Sequence, residues 1–167
     1  IALAKEFQMP ALALTDHGVM YGLIEFYQKA SRAGIKPILG IEAYVAKNSH
    51  KDKRPKIDER PYHLILLASN YQGYQNLMKL TTIAHLDGYY YKPRIDLELL
   101  QKYGKGLLAT SACLAGEVAR NILNNDITGA KNAALRYQDI FGKGNFYLEV
   151  QHHPNIPEQL VVNEKIY

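Results

Sequence analysis

Asp16 and His17 stand side by side where the apolar run ALALT (residues 11–15) meets Gly18. Glu42 interrupts the apolar segment ILGIEAYVA, His63 heads YHLILLAS, and Cys113 follows LLATSA. Glu149, Gln151, His152 and His153 crowd the end of NFYLEV. Imidazole, carboxylate and thiolate together suit zinc, and imidazole with carboxylate also suits iron or manganese. Taken singly, most of these residues have another use. Asp16 could cap a following helix, His17 could sit in a surface loop, and Cys113 could be a small buried apolar residue. His152 and His153 could form a solvated turn into Pro154. Glu42 is harder to place, because an unpaired carboxylate in an apolar strand costs several kcal/mol. Its partner is either a metal cation or a buried Arg or Lys. The spacing matches no closed structural zinc pattern such as paired CxxC.

Five apolar runs, at 11–15, 36–46, 62–69, 106–112 and 145–151, are bounded by turn or loop residues and read as strands covered on both faces. Helical patterns separate them. Over 19–33 the stripe Leu23, Phe26, Tyr27 and Ala30 is closed by Gly34. Asn70 and Asp96 stand where caps would open helices at 71–86 and 97–103, and two more helices fit 116–124 and 128–141. This alternation predicts an α/β fold of mostly parallel strands, open or closed into a barrel, with its site at the carboxyl ends of the strands. His63 stands at the start of its run, so joining the others requires a reversed strand or a bent entry. Residues 47–60, KNSHKDKRPKIDER, are polar and read as a surface loop that either touches a polyanion or a neighbouring domain or is merely solvated. In YYYKPR, Lys92 and Arg94 could meet substrate phosphates and Tyr89, Tyr90 and Tyr91 could stack an unpaired base. The alternative there is a core-facing tyrosine cluster with basic tips.

With 167 residues, 47% of them hydrophobic, residues 1–167 suffice for one packed domain. The net charge of +4 is compatible with a polyanionic partner without requiring one. A single cysteine excludes an internal disulfide and points to a reducing cytoplasm. No apolar run approaches the roughly 20 residues of a membrane span. The opening IALAKEF reads as a helix already under way, so part of a longer chain is expected.

The segments PALALTDHGVMYGLIEFY, AGIKPILGIEAYVA, YHLILLASNYQGYQNLMKL, GYYYKPRIDLELL, GLLATSACLAGEVAR and NFYLEVQHHPNIPEQLVVNE follow one another through nearly the whole chain. In type and order they resemble the PHP (polymerase and histidinol phosphatase) domain of bacterial replicative DNA polymerase III alpha subunits. The resemblance implies a distorted (β/α)7 barrel, present here as an incomplete piece without its first and last strands. It implies up to three divalent ions, zinc first and manganese or iron as alternatives. By the same resemblance His17, Glu42, His63 and Cys113 match metal ligands, with Glu42 placed to bridge two ions. Asp16 matches a residue orienting a ligand or serving catalysis beside Glu42, and Glu149 and His153 match an outer shell or further ligands. Pro154 stands where the family often has glycine. The opening H-x-H and closing Asp-x-His motifs of the family are not among these residues. The implied activity is metal-dependent phosphoester hydrolysis of the 3′–5′ exonuclease type on primer-template DNA. Alternatives are a pyrophosphatase, or a scaffold stabilising the rest of the polymerase chain and docking a proofreading exonuclease subunit.

Overall fold

The computed structural model describes all 167 residues. A short helix α1 (Ala2–Glu6) leads into strand β1 (Ala11–His17), helix α2 (Leu23–Arg32) and the long strand β2 (Lys36–Val45). Strand β3 (Tyr62–Ala68) and helix α3 (Tyr71–Leu86) follow, then a small hairpin of β4 (Tyr89–Tyr90) and β5 (Lys92–Ile95). Helix α4 (Leu97–Tyr103), strand β6 (Leu107–Thr110), and helices α5 (Glu117–Leu123) and α6 (Ile127–Phe141) come next. The chain closes with β7 (Phe146–Tyr147) and α7 (Pro157–Ile166). No helix is long and apolar enough to cross a membrane.

The two expected caps form as the local chemistry requires. Asn70 accepts a hydrogen bond from Gly73 N–H at 3.0 Å and Asp96 accepts one from Leu99 N–H at 3.0 Å, each satisfying an orphan donor of the first turn. Gly34, at φ +77, ends α2. Asp16 is not the cap of α2. That position is Gly22, which has no side chain to offer, and Asp16 reaches only Gly22 N–H at 3.3 Å.

All the strands join in one mixed sheet, ordered β4-β5-β2-β3-β6-β7, with β1 also on β2. β1 and β5 lie parallel to β2, and β7 lies parallel to β6. The expectation of mostly parallel strands needs correction: β3 runs antiparallel to both β2 and β6, and β4 antiparallel to β5, so only three of the six pairings are parallel. The link from β2 to β3 is the 47–60 loop, which carries no crossover helix to turn the chain around. Ile41, Ala43 and Val45 of β2, Leu64 and Leu66 of β3, and Leu107 and Ala109 of β6 pack with Leu77, Leu80, Leu100, Tyr137 and Phe141 from α3, α4 and α6. Because side chains alternate across a strand, Glu42, Tyr44, His63 and Ile65 lie on the opposite face. The strands are therefore not buried alike on both faces. One face is core and the other carries the polar residues.

Candidate metal centre

Register does most of the assembly. His17 at the end of β1 lies directly across from Glu42 of β2. On the other side of β2, antiparallel β3 sets Ile65 opposite Glu42 and His63 opposite Tyr44, one step along the same face. His17 Nε2 is 3.3 Å from Glu42 Oε2, and His63 Nδ1 is 2.6 Å from Glu42 Oε1. One ligand atom from each of the three residues lies within 4.8 Å of the other two. The reversed strand is thus the answer to His63's place at the head of its run.

Cys113 arrives from further away. After β6 the chain turns through Ala112, at φ +59, and Gly116 N–H returns to Cys113 C=O at 2.8 Å. His63 N–H donates to Ala115 C=O at 3.1 Å, and His63 and Gly116 form an isolated parallel bridge. A Cβ on Gly116 would lie 2.1 Å from Ser111 O, so this turn closes only around glycine. The result places Cys113 Sγ 3.5 Å from His63 Nδ1 and 3.8 Å from Glu42 Oε1.

The donor set fits a cation in type and spacing. Tetrahedral ligands with bond lengths of about 2.0–2.1 Å to nitrogen or oxygen and about 2.3 Å to sulfur stand roughly 3.3 and 3.6 Å apart. The His17–Glu42 and Cys113–His63 separations match these values. The shorter His63–Glu42 contact is a hydrogen bond between the two residues themselves, accepted by Glu42 Oε1. Electrostatics tell the same story. Cys113 and Glu42 raise the His63 pKa to about 9 against partial burial. The hydrogen bond from His63 lowers Glu42 below the ordinary carboxylate range, and that to Cys113 lowers the thiol. Three groups sharing protons in one half-buried pocket are suited to exchange them for a metal ion.

Tyr44 was not singled out by residue type, although its position two residues past Glu42 places it on the same face. It is buried, with its ring 5.1 Å from the His63 ring and 6.4 Å from the His17 ring. Gly18, at φ +68, lets the His17 turn close over it, since a Cβ there would sit 2.8 Å from Pro93 Cγ and 3.0 Å from the Tyr44 ring. Lys92, exposed, holds its ammonium 5.5 Å from the centre of the same ring.

Four expected site residues do not join the cluster. Asp16 lies on the face opposite His17, by strand alternation, and its carboxylate braces Gly22. Glu149 is bound by Thr110 Oγ1 at 2.5 Å and Gln151 Nε2 at 2.6 Å, and its backbone by Ser111 Oγ, so its carboxylate serves the β6–β7 end of the sheet. His153 is exposed on the segment before α7. Arg94 is the clearest correction. It is fully buried, and its guanidinium donates to four backbone carbonyls: Gly88 at 3.0 Å, Asp58 at 3.2 Å, His50 at 2.9 Å and Asp52 at 2.6 Å. A guanidinium so engaged has no fork left to offer a phosphate.

The PHP domain family model matches residues 1–153. The chain belongs to the PHP domain family. It is 51% identical to the DNA polymerase III subunit alpha of Borreliella burgdorferi over 167 residues, 99% of this chain and 14% of that protein. It is 44% identical to the Aquifex aeolicus subunit of the same name, covering 98% of this chain and 14% of that one. The PHP chain therefore spans 14% of the length of these relatives. A crystal structure of a candidate metal-dependent phosphoesterase from Bifidobacterium adolescentis is similar at a TM-score of 0.49 and 12% identity, over 99% of this chain and 77% of that one, a loose likeness.

Proposed function

We infer that this PHP domain is the metal-dependent phosphoesterase module of a bacterial DNA polymerase III alpha subunit, working in chromosomal replication in the cytoplasm. The observation that carries this reading is the convergence of His17, Glu42, His63 and Cys113 from four separate segments on one open face. In this reading residues 1–167 form one domain, and the sheet is the greater part of a distorted (β/α)7 barrel. His17, His63 and Cys113 hold divalent ions, zinc first because of the thiolate, with Glu42 between the two imidazoles and able to bridge. Such ions supply Lewis acidity toward a phosphate oxygen and raise the acidity of a water. Tyr44 buttresses the two imidazole rings. Lys92, at the rim, offers its ammonium to the phosphate being cleaved. The substrate is the 3′ end of a primer on primer-template DNA, delivered by the rest of the polymerase chain.

The test uses the full-length polymerase chain, wild type beside His17→Ala and Glu42→Ala. Elemental analysis should find bound zinc, iron or manganese in the wild type and a loss in both variants. Primer-end hydrolysis should fall with the metal, by 100-fold or more, while primer extension persists. A metal-free wild type after reconstitution would remove the hydrolase reading, leaving a scaffold that docks a separate exonuclease subunit. Metal-dependent release of phosphate from pyrophosphate, without primer shortening, would favour the pyrophosphatase.

A further inference from the structure

Residues 47–60 carry Lys47, Lys51, Lys53, Arg54, Lys56 and Arg60 against Asp52, Asp58 and Glu59. This 14-residue loop therefore holds +3 of the chain's net +4. A polar loop of that kind is ordinarily a mobile, solvated tether. This one is built as a platform. Three of the four carbonyl bonds of buried Arg94 draw in His50, Asp52 and Asp58. His50 is itself buried, and both its backbone N–H and its ring Nδ1 meet Asp96 Oδ2, at 2.8 and 2.5 Å. Asp58, also buried, takes Arg54 N–H at 2.8 Å and Nε at 2.9 Å, while Glu59 accepts from the backbone of Lys56 at 2.8 Å.

These bonds use the loop's acidic groups internally, on Arg54 and on backbone, and leave the ammonium groups of Lys47, Lys51, Lys53 and Lys56 facing solvent. The loop leaves β2 after Tyr44 and Val45 and enters β3 at Tyr62 and His63, so both its ends are anchored beside the metal centre. Lys51 lines a groove with Asp87, Glu98 and Lys102, while Lys53 and Lys56 stand exposed with the loop's own carboxylates already engaged. A fixed array of ammonium groups on a loop whose two ends lie beside a phosphoester site suits a ligand with repeated negative charge.

We propose that the Arg94-riveted loop 47–60 is a preformed nucleic-acid surface, on which Lys51, Lys53 and Lys56 track the phosphate backbone of the strand whose end reaches the His17–Glu42–His63 centre. This rests on the phosphoesterase reading and deepens it by assigning the surface that guides the strand to that site. Arg94 touches no nucleic acid. It positions the loop, and so it belongs to the binding surface without being a phosphate ligand.

The experiment compares the full-length polymerase with its Lys51→Gln/Lys53→Gln/Lys56→Gln variant. All three side chains are exposed, so folding is preserved. Binding of a single-stranded oligonucleotide is measured against salt, and hydrolysis is followed on that oligonucleotide and on bis(p-nitrophenyl) phosphate. Each single-strand phosphate contact contributes about 0.7 to the salt slope, so the variant should lose roughly 2 from it. KM for the oligonucleotide should rise several-fold, while the small diester is cleaved as before. An unchanged salt slope and oligonucleotide KM would overturn the proposal, whether or not the variant lost association with an acidic protein partner. An equal loss on both substrates would overturn it too, because the lysines would then be acting at the centre itself. If the wild type cleaves neither substrate, the phosphoesterase reading fails separately, and the salt slope alone decides whether the surface binds nucleic acid.

Discussion

A thiolate beside two imidazoles and a carboxylate discriminates between metals more than it binds them generally. Sulfur suits zinc and contributes little to manganese, a hard ion that prefers oxygen. Cys113→Ser in the full-length chain should therefore weaken zinc binding about tenfold or more and change manganese binding far less, as read by competition against a chromophoric chelator. Equal losses for both ions would place Cys113 outside the ligand set. Position matters as much as type. Asp16 and His17 are neighbours in sequence, yet adjacent strand residues point to opposite faces, so only the histidine meets Glu42. Tyr44, an ordinary strand residue by composition, meets both histidine rings because it lies two positions beyond Glu42.

The elements divide into those specified locally and those held by distant partners. Helices α3 and α4 begin at Asn70 and Asp96 because each cap bonds an amide three residues on. The 47–60 loop has local bonds, Arg54 with Asp58 and Lys56 with Glu59, but its attachment to the sheet depends on Arg94, which lies 34 residues or more beyond it. Arg94→Met would leave buried carbonyls without donors, each costing on the order of 1–3 kcal/mol unless the loop opens to water. The expected result is local opening: hydrogen exchange at the bonded amides of His50, Arg54 and Asp58 should speed up by at least about tenfold, with metal content unchanged. Unchanged exchange would mean that the loop holds itself without Arg94. Helix α7 also had a local signal, Pro157 at its first position followed by Glu158, which suits a helix start. The β4–β5 hairpin had almost none, since its turn residue is Tyr91 at φ +58, a conformation that tyrosine rarely takes.

For the molecule as a whole, a cation in the cluster would tie together residues from 17 to 113, spanning β1, β2, β3 and the turn after β6. A ligand that binds only the folded state stabilises it by RT ln(1 + [L]/Kd), about 2.7 kcal/mol at a hundredfold excess over Kd. For a domain of this size that corresponds to roughly 5–10 °C in Tm. Chelation should thus lower the melting transition of this domain, and Glu42→Ala should melt at the same temperature with or without chelator. A wild type indifferent to chelator would show that the fold does not rely on the metal.

The sequence by itself determined what nearest neighbours can decide. Apolar runs and caps marked β1, β2, β3, α3 and α4, and Glu42 and His63 were legible as candidate ligands because a carboxylate and an imidazole in apolar strands are chemically unusual, whereas Cys113 became a candidate through the family resemblance. Tertiary structure alone decided which of the candidates meet. Strand direction and register are non-local, so only the antiparallel pairing of β3 set His63 beside Glu42, and only the turn around Gly116 carried Cys113 to both. Burial is non-local as well. Arg94 looked like a phosphate ligand by residue type, but the folded loop surrounded its guanidinium with carbonyls first. A side chain's chemistry is local, whereas the partner it meets depends on segments far away in the chain.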